Sequence, residues 1–245
     1  MDIKIAGSGT VAAGEYKNVR ISGSGRIAGP IRCTSLHCAG SVRGSGDIEV
    51  VEDLKTSGSA TFENSVTAAS VSFSGSGRVE GSCTIRGEGR FAGSFHCGGA
   101  LKGNTVSIGG SAKTASIEAE EITICGKIVC HGLLNAEKIT VKMDGSASEI
   151  GNIGGSLIRI YPEWNKRKTR LPLLSKLLGG GEKSRLVVQD SIEGDEIALE
   201  NVTAKTVVGR TIAIGAGCRV DLVQYSEQLE ISPDAVVEKQ EKIAP

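Results

Sequence analysis

Apolar residues recur at a step of six through the middle of the chain: Phe73, Val79, Ile85, Phe91 and Cys97. Each is followed two positions later by glycine, at Gly75, Gly81, Gly87, Gly93 and Gly99. The same unit, apolar-x-Gly-x-x-x, stands near the start as Ile21-Ser22-Gly23 and Ile27-Ala28-Gly29. A longer period lies over the short one. Ile5-Ala6-Gly7 returns as Ile21-Ser22-Gly23 after sixteen residues. Ile122 and Ile124 return as Ile139 and Val141 after seventeen, and Val141 as Ile158; Ile197, Ile214 and Ile231 keep that step. An α-helix would space apolar residues at i, i+3, i+4 and i+7, and glycine at this density would cost it up to ~1 kcal/mol per site. A six-residue step suits a short β-segment and a corner, with the apolar side chain inward and glycine relieving the positive φ of the corner. Three such segments close one coil, and each coil contacts only its neighbours, ~4.8 Å away. The pattern therefore predicts an all-β fold, a parallel β-helix with three faces and about 17 residues per coil. Its core is expected to be a column of Ile, Val, Leu and Phe, with Ile124, Val141 and Ile158 stacked on one face.

The pattern stops at Ile160 and resumes at Leu186. Three segments follow: coils over 1–160, an insertion over 161–185, and a continuation of the β-helix with an acidic end over 186–245. The insertion holds seven bases and two acids, whereas 186–245 holds five bases and eleven acids. It contains the sole tryptophan, Trp164, the basic cluster Lys166, Arg167, Lys168 and Arg170, and the leucines Leu173, Leu174, Leu177 and Leu178. Pro172 and Gly179 would start and stop a short helix with those leucines on one face. This combination fits a peripheral position at the inner face of an anionic membrane, or a partner groove, as well as a solvated loop.

Composition narrows the function. The 28 basic and 28 acidic residues cancel, which argues against a general nucleic-acid binder. The apolar run Leu171-Pro172-Leu173-Leu174 is too short to span a bilayer, and no signal-peptide pattern opens the chain. Seven cysteines with no paired framework read as reduced thiols, so the protein is expected to be cytoplasmic. Each histidine adjoins a cysteine, as His37-Cys38, His96-Cys97 and Cys130-His131, but no Cys-x-x-Cys is present and strand neighbours point to opposite sides of the wall. No metal site is expected. Gly23-Ser24-Gly25 and Gly75-Ser76-Gly77 lack the lysine and the following helix of a phosphate loop and read as corners. Glu118 and Glu120 share an outer face and read as solvated. No cofactor or small-molecule substrate is implied.

Three segments carry a resemblance to a known family: Ile21-Ser22-Gly23-Ser24-Gly25-Arg26-Ile27-Ala28-Gly29, Ser116-Ile117-Glu118-Ala119-Glu120-Glu121-Ile122-Thr123-Ile124-Cys125-Gly126, and Leu134-Asn135-Ala136-Glu137-Lys138-Ile139-Thr140-Val141. They resemble the bactofilins, the polymer-forming cytoskeletal family of bacteria. The resemblance implies a right-handed β-helix that polymerises end to end without nucleotide and acts as a scaffold in cell shape, envelope organisation or motility. The residues agree on the essential point, since a β-helix leaves an unpaired strand row and an open apolar section at each end. The terminal residues expected to meet a second copy are Ile3, Ile5 and Val11 at one end and Leu229, Ile231, Val236 and Val237 at the other. The expected partner is thus the protein itself, with a membrane surface or a protein client at 161–185. The alternatives are a β-helical adaptor working through that arm and, third, a hexapeptide-repeat acyltransferase. The pattern resembles the latter in spacing alone, without a histidine in a long loop.

Overall fold

The computed structural model describes residues 1–163 and 185–244, and every regular element in them is a β-strand. The strands are long because they run around corners: β1 spans Ile3–Gly44, β2 Ile48–Phe62, β3 Val66–Val79, β4 Cys83–Ile85, β5 Glu88–Lys102 and β6 Thr105–Met143. They continue as β7 Ser148–Pro162, β8 Leu186–Val188, β9 Ser191–Leu199, β10 Val202–Ile214, β11 Arg219–Ile231 and β12 Val236–Lys242. The pairings between these elements are parallel, each stretch lying on the one a coil earlier. This is a parallel β-solenoid. β7 pairs with both β8 and β9, so the coils run on across 163–185 without a change of axis partner.

The motif Ile-Ser-Gly-Ser-Gly explains one corner. Gly23 has φ +112, and a Cβ there would lie 2.5 Å from the carbonyl oxygen of Gly7 in the coil before. Gly25 has an ordinary φ, but a Cβ on it would lie 2.4 Å from Cγ2 of Ile21, so its role is to leave room for that side chain. The first glycine makes the bend and the second admits the core residue. The corner glycines then stack coil upon coil: Gly40, Gly58, Gly75, Gly93 and Gly110 are partners in register.

The six-residue unit had every glycine taking positive φ. Of Gly75, Gly81, Gly87, Gly93 and Gly99, only Gly75 and Gly93 do so. Gly81 and Gly99 are instead crowded corners, where a Cβ would meet Ser65 Oγ at 2.7 Å and Ser82 Oγ at 2.5 Å. In these coils one corner bends through positive φ, at Gly75 and Gly93, and another, at Gly81 and Gly99, is merely tight.

The core is one column from Val11 to Val223. All four phenylalanines meet inside it, Phe73 stacked on Phe91 at 5.9 Å and Phe91 against Phe95 at 4.0 Å. Among the described residues the buried polar side chains are Ser35, Thr56, Thr114 and Ser148. Ser35 Oγ donates to Asn18 Oδ1 at 2.8 Å, and Ser148 Oγ accepts from the Ile128 N–H at 3.1 Å. Thr114 Oγ1 donates to the Ser116 carbonyl at 2.9 Å, and Cys97, its partner one coil earlier, gives its S–H to the Gly81 carbonyl at 3.4 Å. Cys130 repeats the contact to Ala115 at 3.8 Å.

The expected register is corrected at two places. Ile158 lies on Ile139, not Val141, which lies on Ile160. Ile197 lies on Ile212, while Ile214 does carry Ile231. The link Asp144-Gly145-Ser146-Ala147 adds residues to one coil, so that Val129 meets Glu149. Because alternate residues face inward, a slip of two leaves the apolar pattern intact.

Candidate functional site: the open ends and a basic ridge

Among the described residues no coil covers either end of the column. At the N-terminal end, Ile3 and Ile5 are half-buried against the first complete coil, and Ile5 folds across Gly9. The rim is tied down by Lys17 N–H donating to the Met1 carbonyl at 2.8 Å and by Asn18 Nδ2 donating to Asp2 at 3.0 Å. The outer edge of this strand is unpaired, and between Ile3 and Gly14 its only charge is Lys4. Val11, expected at the open end, is buried at 2% exposure and belongs to the column.

At the C-terminal end, Leu229 lies over Ile212 and Ile231 over Ile214, and Ile231 is 39% exposed with no described strand paired beyond it. Val237 lies over the buried Val220 and closes another position of the column. Val236 is corrected: it partners Arg219, faces outward at 52% exposure and is not part of the end face. Gln240 sits over Val223, so a polar side chain ends that strip of the core. The edge strand β12 carries Glu238, Lys239, Glu241 and Lys242, with Lys239 paired to Glu241 at 2.5 Å. Hydrogen bonds from Lys239 and Gln224 hold the Glu241 carboxyl below its ordinary value. A charged edge strand discourages promiscuous pairing. The ends are therefore unlike. The first carries the single charge Lys4 along its edge, and the second is apolar at Leu229, Ile231 and Val237 and carries four charges beside them.

The remaining arm residues of the sequence reading, Trp164, Lys166, Arg167, Lys168, Arg170, Leu173, Leu174, Leu177 and Leu178, lie outside the described residues. No described helix is long and apolar enough to cross a membrane.

A further surface was missed in the sequence reading. Outward from the corner glycines, Ser41, Ser59, Ser76, Ser94 and Ser111 are successive partners and all exposed. Gly7-Ser8 and Gly23-Ser24 extend the row, since Gly40 sits on Gly23 and Gly23 on Gly7. Two residues beyond each serine runs the column Thr10, Arg26, Arg43, Thr61, Arg78, His96 and Lys113. Three residues before each glycine runs Lys4, Arg20, His37, Lys55, Ser72, Arg90 and Ser107. Neither column contains an acid. The acids Asp53, Glu63, Glu80 and Glu88 stand two residues further out, pairing Lys55 at 3.2 Å, Arg43 at 3.6 Å, Arg78 at 2.9 Å and Arg90 at 2.6 Å. The signal was legible as Gly-Ser at coil spacing with a base three residues to either side.

His37 shows how alternation divides neighbours. It pairs with the Asp53 carboxylate on the surface, while Cys38 is buried. Partial burial works to raise the Asp53 carboxyl, but bonds from His37 and Lys55 outweigh it and hold it below the usual range. Burial pushes the Cys33, Cys97 and Cys130 thiols up to about 11 and Cys38 up to about 12. Thiols so protonated are poor metal ligands, and no group of three metal-binding side chains occurs among the described residues. A shallow trough of about 220 Å³ has the floor Ala198, Leu199, Ala213 and Gly215, with Arg159, Tyr161 and Glu200 around it. It brings together no nucleophile and base.

These features define a β-solenoid with unsatisfied ends and no assembled catalytic group among the described residues. Residues 1–84 match the bactofilin family, described as polymer-forming cytoskeletal. Over 112 residues the chain is 33% identical to the uncharacterized protein YhbE and 30% identical to the uncharacterized protein YhbF, both of Bacillus subtilis (strain 168). The aligned stretch is 46% of this chain and 44% and 42% of theirs, so it spans under half the length of these relatives. No solved structure matches the chain.

Proposed function

We propose that the protein is a self-assembling cytoskeletal scaffold whose rods join end to end without nucleotide, supporting cell shape, envelope organisation or motility. The observation that carries this reading is the pair of uncovered ends, with Ile3 and Ile5 half-buried at one and Ile231 exposed over a buried Ile214 at the other. Stacking a second copy would bury these side chains and pair the open strand rows. The match of residues 1–84 to a family described as polymer-forming supports it. Sedimentation and negative-stain imaging of the purified protein test it. Wild type is expected to form filaments. Ile5→Lys and Ile231→Lys are expected to stay folded and to stop growth, because the new charge would be desolvated at the junction. Val236→Lys, on an outward position, serves as the control and should leave filaments of normal length. Normal filaments in both end variants would sink the end-to-end model.

A further inference from the structure

We propose that the basic ridge binds a linear, base-free phosphate polymer laid along the rod axis. This surface is separate from the ends, and the proposal does not depend on how rods assemble. Seven coils present the Gly-Ser row, a length of about 30 Å at roughly 4.8 Å per coil. Along it every coil offers at least one base or histidine from one flanking column or the other. Lys4, Arg20, Arg26 and Lys113 make no ion pair with a described residue. The paired ones are exposed, and exposed pairs are weak enough to exchange partners. The ridge serines make no side-chain hydrogen bond with a described residue, so their hydroxyls are free to donate to phosphate oxygens. Positive charge is confined to a strip, because Asp53, Glu63, Glu80 and Glu88 stand just outside it. A planar anionic membrane laid on the ridge would meet those acids as well, whereas a single chain would not. The ridge columns carry no phenylalanine, tyrosine or tryptophan, and all four phenylalanines are buried. Single-stranded nucleic acid is held by stacking platforms that this surface lacks. A phosphate chain without bases needs none.

The test measures binding of the full-length protein to inorganic polyphosphate over a salt series. Log affinity is expected to fall linearly with log salt as counterions are released. The triple variant Arg26→Gln/Arg43→Gln/Arg78→Gln should weaken binding at least ~10-fold and flatten the salt slope by about one per arginine. The off-ridge triple Lys205→Gln/Arg219→Gln/Lys239→Gln makes the same net change and should stay within about twofold of wild type, since steering by net charge alone is screened. All six side chains are exposed, so folding is not at stake. An Ile231→Lys rod should bind as wild type does. Equal losses in both triples, or no binding at low salt, would overturn the proposal. So would oligo-deoxythymidine or anionic lipid vesicles binding as tightly as polyphosphate, since either would give the ridge a different occupant.

Discussion

At Gly75 two constraints meet in one residue. Its φ is +113, and a Cβ would stand 2.4 Å from the Gly58 carbonyl oxygen one coil below. Gly75→Ala should therefore cost about 1–3 kcal/mol from backbone strain alone, with the clash added, and thermal denaturation would show it. Gly109, with nothing within 4 Å of an added Cβ and no positive φ, is the matched control and should tolerate alanine. The thiols act at the same scale. Burial raises Cys33, Cys97 and Cys130 to about 11, whereas unfolded thiols ionise near ~8.5. A raised folded value means that stability is complete below ~8.5 and is lost as pH climbs toward 11. Each such thiol steepens the loss by about 1.4 kcal/mol per pH unit. Denaturant midpoints measured from pH 8 to 11 should fall, and Cys97→Val/Cys130→Val should make that fall shallower. An unchanged slope would mean that the thiols ionise freely in the folded rod.

At the scale of the elements, the insertion can be compared with the coil beneath it. Met143 partners Pro162 and Ser148 partners Leu186. The lower coil joins these positions through Asp144-Gly145-Ser146-Ala147, and the upper one through residues 163–185. Replacing 163–185 by Asp-Gly-Ser-Ala should therefore leave a folded rod with an unchanged cooperative transition by circular dichroism. Loss of cooperativity would make the segment part of the core. The same comparison shows how far the fold was legible. Inward alternation, the coil period and the corner at Gly23 followed from residue spacing, because one apolar column and one bend per coil impose them. Register between distant coils did not. Ile139 and Val141 are both fully buried, so the pattern is indifferent to which of them Ile158 meets. Val236 failed for the mirror reason: two adjacent valines cannot both face inward, and only the pairing with Arg219 decides between them. The basic ridge was missed because its charges come one or two per coil, so no short stretch of sequence shows either column.

For the whole molecule the question is whether two end faces can hold each other. The apolar residues available are Ile3 and Ile5 on one end and Leu229, Ile231 and Val237 on the other. Burying one fully is worth about 1.5–3 kcal/mol, and those already half-buried give less. Several per junction exceed the ~4 kcal/mol minimum cost of association, while no single residue does. Growth should therefore show a critical concentration that responds in steps to each side chain removed. Ile231 is 39% exposed in the isolated rod, so truncating it takes little from the rod and more from the junction. Ile231→Ala should raise the critical concentration roughly tenfold, the equivalent of ~1.4 kcal/mol, with little change in melting temperature. Ile231→Val should fall between the two. Because the contact is mainly apolar, the wild-type value should shift less than about threefold between 0.05 and 0.5 M salt, a range over which exposed charge pairs are largely screened. A critical concentration that ignores Ile231 but climbs steeply with salt would mean that charges join the rods, and Glu238, Lys239, Glu241 and Lys242 of β12 would be the first to substitute.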